Sequence, residues 1–490
     1  MIVIRNYLKV NALALCISLL FALVFSALVF FNHYCFRTFA LDLGVYTNAL
    51  YDYSCFQWND ASTFKEIPRN LLSDHLDLSL FLIAPFSLFL GQYTLLIFQI
   101  LFVLIGGMGV YHLIELYTNK KRLAIYAIIN FYLFFGIYSA LSFDYHSNVL
   151  AAMMIPWLIF SLKKNQYIKF SGLFLLILIS KESMSLWLFT ICLGLLLEFW
   201  RLKRARILLL VFMAIALIYF VIALKVVMPY FSPDGQYSNF KYSILGEDYL
   251  DAFLNSLKHP FETIKLLFIN HSDNAKYDWV KMEFYVFVLL SGAYFLIRKP
   301  AYFLMLLMPL LAKMTYDDPA IWSIDCHYSI EFAPIIGITA FLVIHEIKNS
   351  RTQKFFIVIL LLGSLTASIR LMDNTVYWHD YSRMRIYQKQ HYTKSYDISK
   401  INSYFKLIPD TSIVSVQSPL LPHLAYRDKC YQLPIVKDAE YIVASKSEQI
   451  TYPIKMNEMI QLLNDSIQST RWDVVVNDSE ISILKRKSLP

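Results

Sequence analysis

Residues 168–199 read IKFSGLFLLILISKESMSLWLFTICLGLLLEF, an apolar run whose interior is charged only at Lys181 and Glu182. As one helix it would extend about 48 Å at 1.5 Å per residue, far beyond a bilayer core of roughly 30 Å. The run therefore predicts two short helices folded back at Lys181 and Glu182. Charge parity agrees. A single span would put Arg201, Lys203, Arg204 and Arg206 on the side opposite Lys163, Lys164 and Lys169, although basic residues collect on the cytoplasmic face. Helices this short reach only about 20 Å, which sinks the Lys181–Glu182 turn below the outer surface.

Working outward, Leu8 to Phe31, Tyr93 to Tyr117 and Ile207 to Met228 have the roughly 20 apolar residues that a crossing requires. Shorter candidates are Leu123 to Leu141, Glu283 to Ile297, Ala301 to Met314, Ile330 to Ile344 and Phe355 to Ile369. With Val149 to Leu162 and the two halves of the hairpin, Ile168 to Ser180 and Ser183 to Phe199, the count is about 11 transmembrane helices. Composition agrees: 57% of residues are hydrophobic and only 16% charged, too apolar for an ordinary soluble protein. The basic clusters at 120–122, 163–169, 201–206, 298–299 and 348–354 alternate with non-basic loops. This places the N-terminus inside and the C-terminus outside, in the cytoplasmic (inner) membrane with the active face extracytoplasmic. Because the basic residues flank hydrophobic spans, the net charge of +8 is a topology signal and nucleic acid is excluded as a partner. The first span follows Arg5 and Lys9, exceeds a signal-peptide core and lacks an A-x-A-like site, so it reads as an uncleaved anchor.

The fold class is thus mainly α and polytopic, with a membrane domain over 1–371 and structured outer loops at 32–92 and 229–282. Leu76 to Leu90, in the first loop, is apolar enough to lie in the interface or re-enter. Past about Arg370 the text turns polar, predicting a soluble extracytoplasmic α/β domain over 372–490. Alternation marks strands at Ser412 to Val416, Tyr441 to Ala444 and Trp472 to Val476, with a helix near Met456 to Ile467. Asn477, Asp478 and Ser479 turn the last strand back into Glu480 to Leu484 as a hairpin. Six cysteines lack metal-ligand spacing; a Cys35–Cys55 bridge is compatible with an oxidising compartment.

Reactive groups cluster on the outer side. Asp42, about ten residues past the first helix, suits a general base on an acceptor hydroxyl, or else an N-cap of the following helix. Asp74, His75 and Asp77 offer metal ligands, the two aspartates sharing a face if helical, or simply order a loop. His75 alone is a general-acid or phosphate-contact candidate. Asp144 and His146 form a D-x-H pair that faces one way only if the backbone is extended, and the plain alternative is a hydrogen-bonded pair that orders the turn. Lys181 beside Glu182 is either a self-contained ion pair or a point charge for a lipid-linked phosphate. Asp317 and Asp318 read as a solvated pair, whereas His327 enters the membrane beside Glu331. No Gly-rich phosphate loop, zinc signature or nucleophile elbow occurs.

The strings Leu41-Asp42-Leu43-Gly44-Val45-Tyr46, Phe143-Asp144-Tyr145-His146, Ser180-Lys181-Glu182, His327-Tyr328 through Pro334, and Leu420-Leu421-Pro422-His423-Leu424 resemble a family of uncharacterised bacterial polytopic membrane proteins. This domain of unknown function is grouped with the GT-C fold glycosyltransferases, and the resemblance covers most of the chain. It implies a GT-C-like bundle that takes sugar from a polyprenyl-phosphate donor at the outer face, with an acidic residue of the first outer loop, here Asp42, as base. Two departures stand out. Asp144-Tyr145-His146-Ser147-Asn148 replaces the family's D-F-H-P-E, and Lys181-Glu182-Ser183 replaces K-E-D, each with the loss of a carboxylate.

The reaction expected is inverting sugar transfer in the cell envelope. Asp42 is the catalytic residue, and His75, Asp144, His146, Lys181, Glu182 and His327 are the substrate-binding set. A divalent metal is optional, with Asp74, His75 and Asp144 as conceivable ligands. The partners are the polyprenyl-phosphate-linked sugar donor and membrane lipid. The alternatives are a lipid or sugar transporter or flippase, whose buried charges would line a route, and a non-catalytic GT-C scaffold binding lipid-linked sugars.

Overall fold

The computed structural model describes residues 2–60, 63–67, 69–237, 239–377 and 381–487. The hairpin expected at 168–199 is present, as helices Tyr167–Leu178 and Met184–Phe199 around a turn at 179–183. Each other apolar segment is helical as well, although several are broken. Five helices among the described residues are long and apolar enough to cross a membrane: Ala12–Tyr34, Leu80–Thr118, Lys203–Phe231, His327–Glu346 and Ser350–Asp373. Lys121–Tyr132 and Phe135–Ser142, bent by 42°, make a sixth if taken as one span. Ser147–Lys163 and the two hairpin helices are apolar but shorter. The expected span at 283–297 is split into Val280–Leu290 and a 3₁₀ helix Ala293–Arg298, and that at 301–314 into Pro300–Met305 and Leu307–Met314.

Helix ends follow local chemistry. The Asp248 side chain accepts from the backbone N–H groups of Leu250 and Asp251 and starts Tyr249–Lys258, as Asn349 does through Arg351 and Thr352 for Ser350–Asp373. The apolar stretch 76–90, expected to lie in the interface or re-enter, forms helix Leu80–Leu90 and joins Thr94–Thr118 through a 3₁₀ turn, Gly91–Tyr93. Gly91 takes φ 53°, a left-handed conformation glycine adopts without a Cβ penalty.

Contacts divide the chain into two compact units: Met1–Ala27 with Gln99–Val226 and Tyr237–Arg385, and Leu28–Phe98 with Val227–Gln236 and Ile386–Pro490. In the first, Phe332–Glu346 is almost wholly buried, packed on Lys121–Tyr132, Ser147–Lys163, Ala293–Arg298 and Ser350–Asp373. Residues up to Arg385 therefore pack with the helices, although the composition changes already near Arg370.

The second unit holds a five-stranded mixed sheet: β1 (Val414–Val416), β2 (Cys430–Gln432), β3 (Tyr441–Ser445), β4 (Trp472–Asn477) and β5 (Ile481–Arg486), in the order β2-β1-β3-β5-β4. β1 is parallel to β2 and β3, while β5 runs antiparallel to β3 and β4, so the 477–480 turn makes the expected hairpin. One sheet face packs Val414, Val416, Ile481 and Ile483 against Ile398 and Ile401 and against Cys35, Phe36 and Ala40 of the first loop. The other covers Ile442, Ala444 and Leu484 with Met459 and Leu463 of helix Met456–Gln468. Burial of these side chains contributes about 1.5 to 3 kcal/mol each for the larger ones. Arg37, just beyond the first long helix, donates to the carbonyls of His391, Gln390 and Thr393 and ties the loop to the tail. Cys35 and Cys55 are not bridged: both are free, Cys35 buried in this core and Cys55 exposed.

Candidate functional site

The candidate residues fall in both units. In the helical unit the turn at 143–146 follows from its sequence. Asp144 takes φ 55°, a left-handed conformation that Asp tolerates better than most residues, and His146 is extended, with φ −143° and ψ 130°. Gln99 clamps both sides of the reversal: its Nε2 donates to the Asp144 carbonyl at 2.7 Å, and its Oε1 accepts from the His146 N–H at 2.9 Å.

The chain reverses at Asp144 and is extended only at His146, so the backbone around the D-x-H pair is not the uniformly extended one that points both side chains the same way. Asp144 Oδ1 lies 3.5 Å from Arg383 Nη2, with both side chains buried. That guanidinium also donates to the Ser142 carbonyl and sits 5.0 Å over the Phe143 ring. The His146 ring stacks on His327, with centroids 3.4 Å apart and planes inclined by 20°, and Phe143 lies 5.6 Å from His146. Gly136 permits this approach, since a Cβ there would fall 2.6 Å from the Ser329 carbonyl oxygen of the turn His327–Ser329.

Next to the stack, Asn148 Nδ2 donates to Glu331 Oε1 at 2.7 Å. The charges of Lys313 and Lys181 both act on this carboxylate. Lys313 is buried and donates to the carbonyls of Ile321 and Ser323 at 2.6 Å each. In the hairpin turn Lys181 is half-buried and Glu182 buried. The Glu182 charge reaches Tyr237, Tyr242 and Tyr249; burial, opposed by the Tyr237 hydroxyl and reinforced by Glu182, pushes Tyr249 up to about 12.

In the second unit Asp42 occupies a π-helical turn, Ala40–Gly44, and is half-exposed. Such one-residue expansions of a helix often sit at functional positions. Asp42 is not the N-cap of the next helix: Val45–Ser54 starts from Gly44 without a side-chain cap. A Cβ on Gly44 would lie 2.6 Å from Leu421 Cδ2, so the turn rests directly on the tail. Asn48 Nδ2 donates to the carbonyls of Arg427 and Asp428 at 2.7 and 3.1 Å. Asp52 is buried, and burial pushes it up to about 7 despite a 2.9 Å hydrogen bond from Asn59.

The stretch at 74–77 is not helical. A 3₁₀ turn, Leu71–Ser73, ends before Asp74, so Asp74 and Asp77 do not share a helix face. Asp77 is buried and accepts from the Ser79 N–H and hydroxyl, ordering the entry to Leu80–Leu90, while His75 is half-buried. Among the described residues no three His, Cys, Asp or Glu side chains gather in a way that could hold a metal ion.

Three important groups were missed in the sequence. Lys313 and Gln99 carry a signal, a polar side chain inside an otherwise apolar helix. Arg383 carries none, since it reaches Asp144 from a segment whose composition reads as tail.

The family model described as Predicted membrane protein (DUF2079) matches residues 32–483. The chain belongs to this family. The chain is similar in structure to ArnT from Cupriavidus metallidurans bound to undecaprenyl phosphate, over 97% of this chain and 98% of that one, at 11% identity and TM-score 0.54. Apo ArnT from the same organism aligns over 98% of both chains, at 12% identity and TM-score 0.48. The archaeal oligosaccharyltransferase AglB from Archaeoglobus fulgidus, in complex with an inhibitory peptide and a dolichol-phosphate, aligns over 90% of this chain and 70% of that one, at 10% identity and TM-score 0.39. These neighbours are GT-C fold glycosyltransferases, and the first superposition gives this DUF2079 member a GT-C-like fold. No curated protein matches the chain.

Proposed function

We propose that this protein is a membrane glycosyltransferase that moves a sugar from a polyprenyl-phosphate donor to an acceptor on the outer face of the cytoplasmic membrane. The observation that carries the reading is the GT-C-like fold over 97% of the chain, with a half-exposed aspartate, Asp42, in the loop that follows the first long helix. The neighbour's bound undecaprenyl phosphate supports a lipid-linked donor here. In this reading the chain has about 11 spans, N-terminus inside, and the 372–490 domain lies outside.

Asp42 acts as general base. It takes the acceptor hydroxyl proton as that oxygen attacks the anomeric carbon, and the C–O bond to phosphate breaks on the opposite face with inversion. The leaving phosphate retains the electron pair and its charge, so no proton need reach it. Lys181 is the point charge suited to that phosphate. His146, stacked on His327, adds ring nitrogens; Asp144 and Glu182 complete the substrate-binding set, and His75 remains a phosphate-contact candidate.

Purified protein given a labelled polyprenyl-phosphate sugar and candidate acceptors tests this directly. Transfer should occur and fall at least about 10²-fold in Asp42→Asn, the lower range for loss of a general base. Sugar movement across vesicles without transfer would instead support a transporter, and binding without either would leave a scaffold. Cysteines at 42 and 181 should both label from outside; labelling from opposite faces would remove the shared outer orientation.

A further inference from the structure

The motif Leu420-Leu421-Pro422-His423-Leu424 has no role in the chemistry above, yet its 3₁₀ turn, Leu421–His423, lies against the turn that carries Asp42. Leu421 seats on the Gly44 backbone, and the Ala40 N–H donates to Ser418 Oγ at 3.3 Å, so the tail touches both ends of the Ala40–Gly44 turn. Two residues on, the His423 ring lies parallel to His33, with centroids 4.0 Å apart and planes 9° from parallel. His423 Nε2 is 3.0 Å from the His33 carbonyl oxygen, which makes Nε2 the protonated nitrogen. His33 Nδ1 in turn meets Thr38 Oγ1 at 2.9 Å, two residues before Ala40. A closed circuit results: His33 to Thr38, through Asp42 to Gly44, across to Leu421 and His423, and back to His33.

Resting on the reading of Asp42 as the base, we propose that the His33–His423 stack is a positioning element that holds the Asp42 turn only while both rings are uncharged, making the transfer sensitive to external acid. Both histidines are buried, and His33 Nε2 has no hydrogen-bond partner among the described residues. Phe36 meets His423 edge-on at 4.7 Å, Phe405 lies 6.0 Å away, and Tyr93 meets His33 edge-on at 5.3 Å. Among the described residues, the titratable groups facing the pair are thus each other and Tyr93. The ionisable neighbours in sequence turn elsewhere, Arg37 to the carbonyls of Gln390, His391 and Thr393, and Cys35 to that of His391. A proton added at His423 Nδ1 would place a cation in an aromatic enclosure face to face with a second imidazole.

Burial, opposed by the hydrogen bond to the His33 carbonyl, pushes His423 down to about 4. The sign follows from linkage. The folded value lies below the ordinary 6.5, so the undocked state binds the proton first, and docking weakens as pH falls from about 6.5 towards 4.

Hydrogen exchange on the full-length protein in lipid nanodiscs, corrected for the intrinsic pH dependence, provides a test that needs no activity. Peptides covering 39–46 and 419–425 should exchange at least about tenfold faster at pH 5 than at pH 7.5, the effect of roughly one unit of linked protonation. His423→Gln keeps a neutral donor and should abolish most of that difference. Thr38→Val, which removes the His33 Nδ1 partner, should speed exchange at 39–46 at both pH values and serves if the first variant does not fold. In the transfer assay the wild type should lose kcat below about pH 6 with KM for donor unchanged, and His423→Gln should move that acid limb. A purely structural role would lower kcat equally at every pH. Equal exchange at both pH values in the wild type, or an unchanged pH response in His423→Gln, overturns the proposal. Coupled exchange without any transfer would overturn the glycosyltransferase reading alone, and Asp42-dependent transfer without coupled exchange would overturn this one alone.

Discussion

The two turns that carry the candidate chemistry are held by opposite means. The Asp144 turn is a buried polar lattice: Gln99 clamps its backbone, Arg383 pairs its carboxylate, and Asn148 satisfies Glu331 one helical turn away from the stacked histidines. The Asp42 turn instead leaves its carboxylate half-exposed and is located by apolar contact with Leu421 and by backbone bonds. A buried ionic lattice is costly to break because each removed partner leaves a desolvated charge, whereas an exposed carboxylate can be changed cheaply. In the proposed reading stability and reactivity fall to different turns, and the contrast is open to direct attack.

The largest effect should come from Arg383→Met. Losing the guanidinium strands Asp144 in the interior and should lower stability by about 3 to 5 kcal/mol, measured as thermal or denaturant unfolding in detergent. Adding Asp144→Asn to that variant should restore part of the loss. Full additivity of the two changes would show that the 3.5 Å pair is not coupled.

Arg383 also marks where the sequence stops being legible. The long apolar helices were readable because apolar length is a local property, and the fold-back at Lys181 and Glu182 followed from length and charge parity alone. The breaks inside 283–297 and 301–314 and short polar helices such as Ile398–Phe405 have no such signal. The sheet was readable wherever strands alternated. β2 was missed because it is only three residues long, Cys430–Gln432, and is defined by its pairing with β1 and not by any pattern of its own. The same holds for the site. Asp144, His146, Lys181, Glu182 and His327 were visible as polar residues in apolar text, but their partners come from positions far away in sequence, which no local pattern encodes. The left-handed Asp144 backbone hides there as well, since no local pattern announces it.

Gln99→Leu should be next. It removes both backbone clamps around Asp144 while filling a similar volume, so a loss of about 2 to 3 kcal/mol is expected from two buried groups left unpaired. Asn148→Asp should fall in the same range, about 2 kcal/mol, since it exchanges a donor to Glu331 for a second carboxylate. If it were neutral, the 2.7 Å bond from Asn148 to Glu331 would contribute nothing to stability.

Asp52 tests the other turn's surroundings with the opposite sign. Its folded value of about 7 lies above the unfolded one, so the protonated form is favoured in the fold and stability declines as pH rises from about 4 to 7. Asp52→Asn should therefore stabilise the protein by on the order of 1 to 2 kcal/mol at pH 8 and by much less at pH 4.5. An equal gain at both values would trace the effect to packing.

The smallest stability effect should belong to Asp42→Asn, within about 0.5 kcal/mol of the wild type, because the side chain is half-exposed, is not the cap of Val45–Ser54 and keeps its shape. That small number matters more than the large ones. If unfolding is unchanged while sugar transfer disappears, the loss is chemical, and Asp42 has been kept at a position the fold does not need. If Asp42→Asn destabilises the protein as strongly as Arg383→Met, the two turns are built alike, and the half-exposed carboxylate is a structural member of its turn.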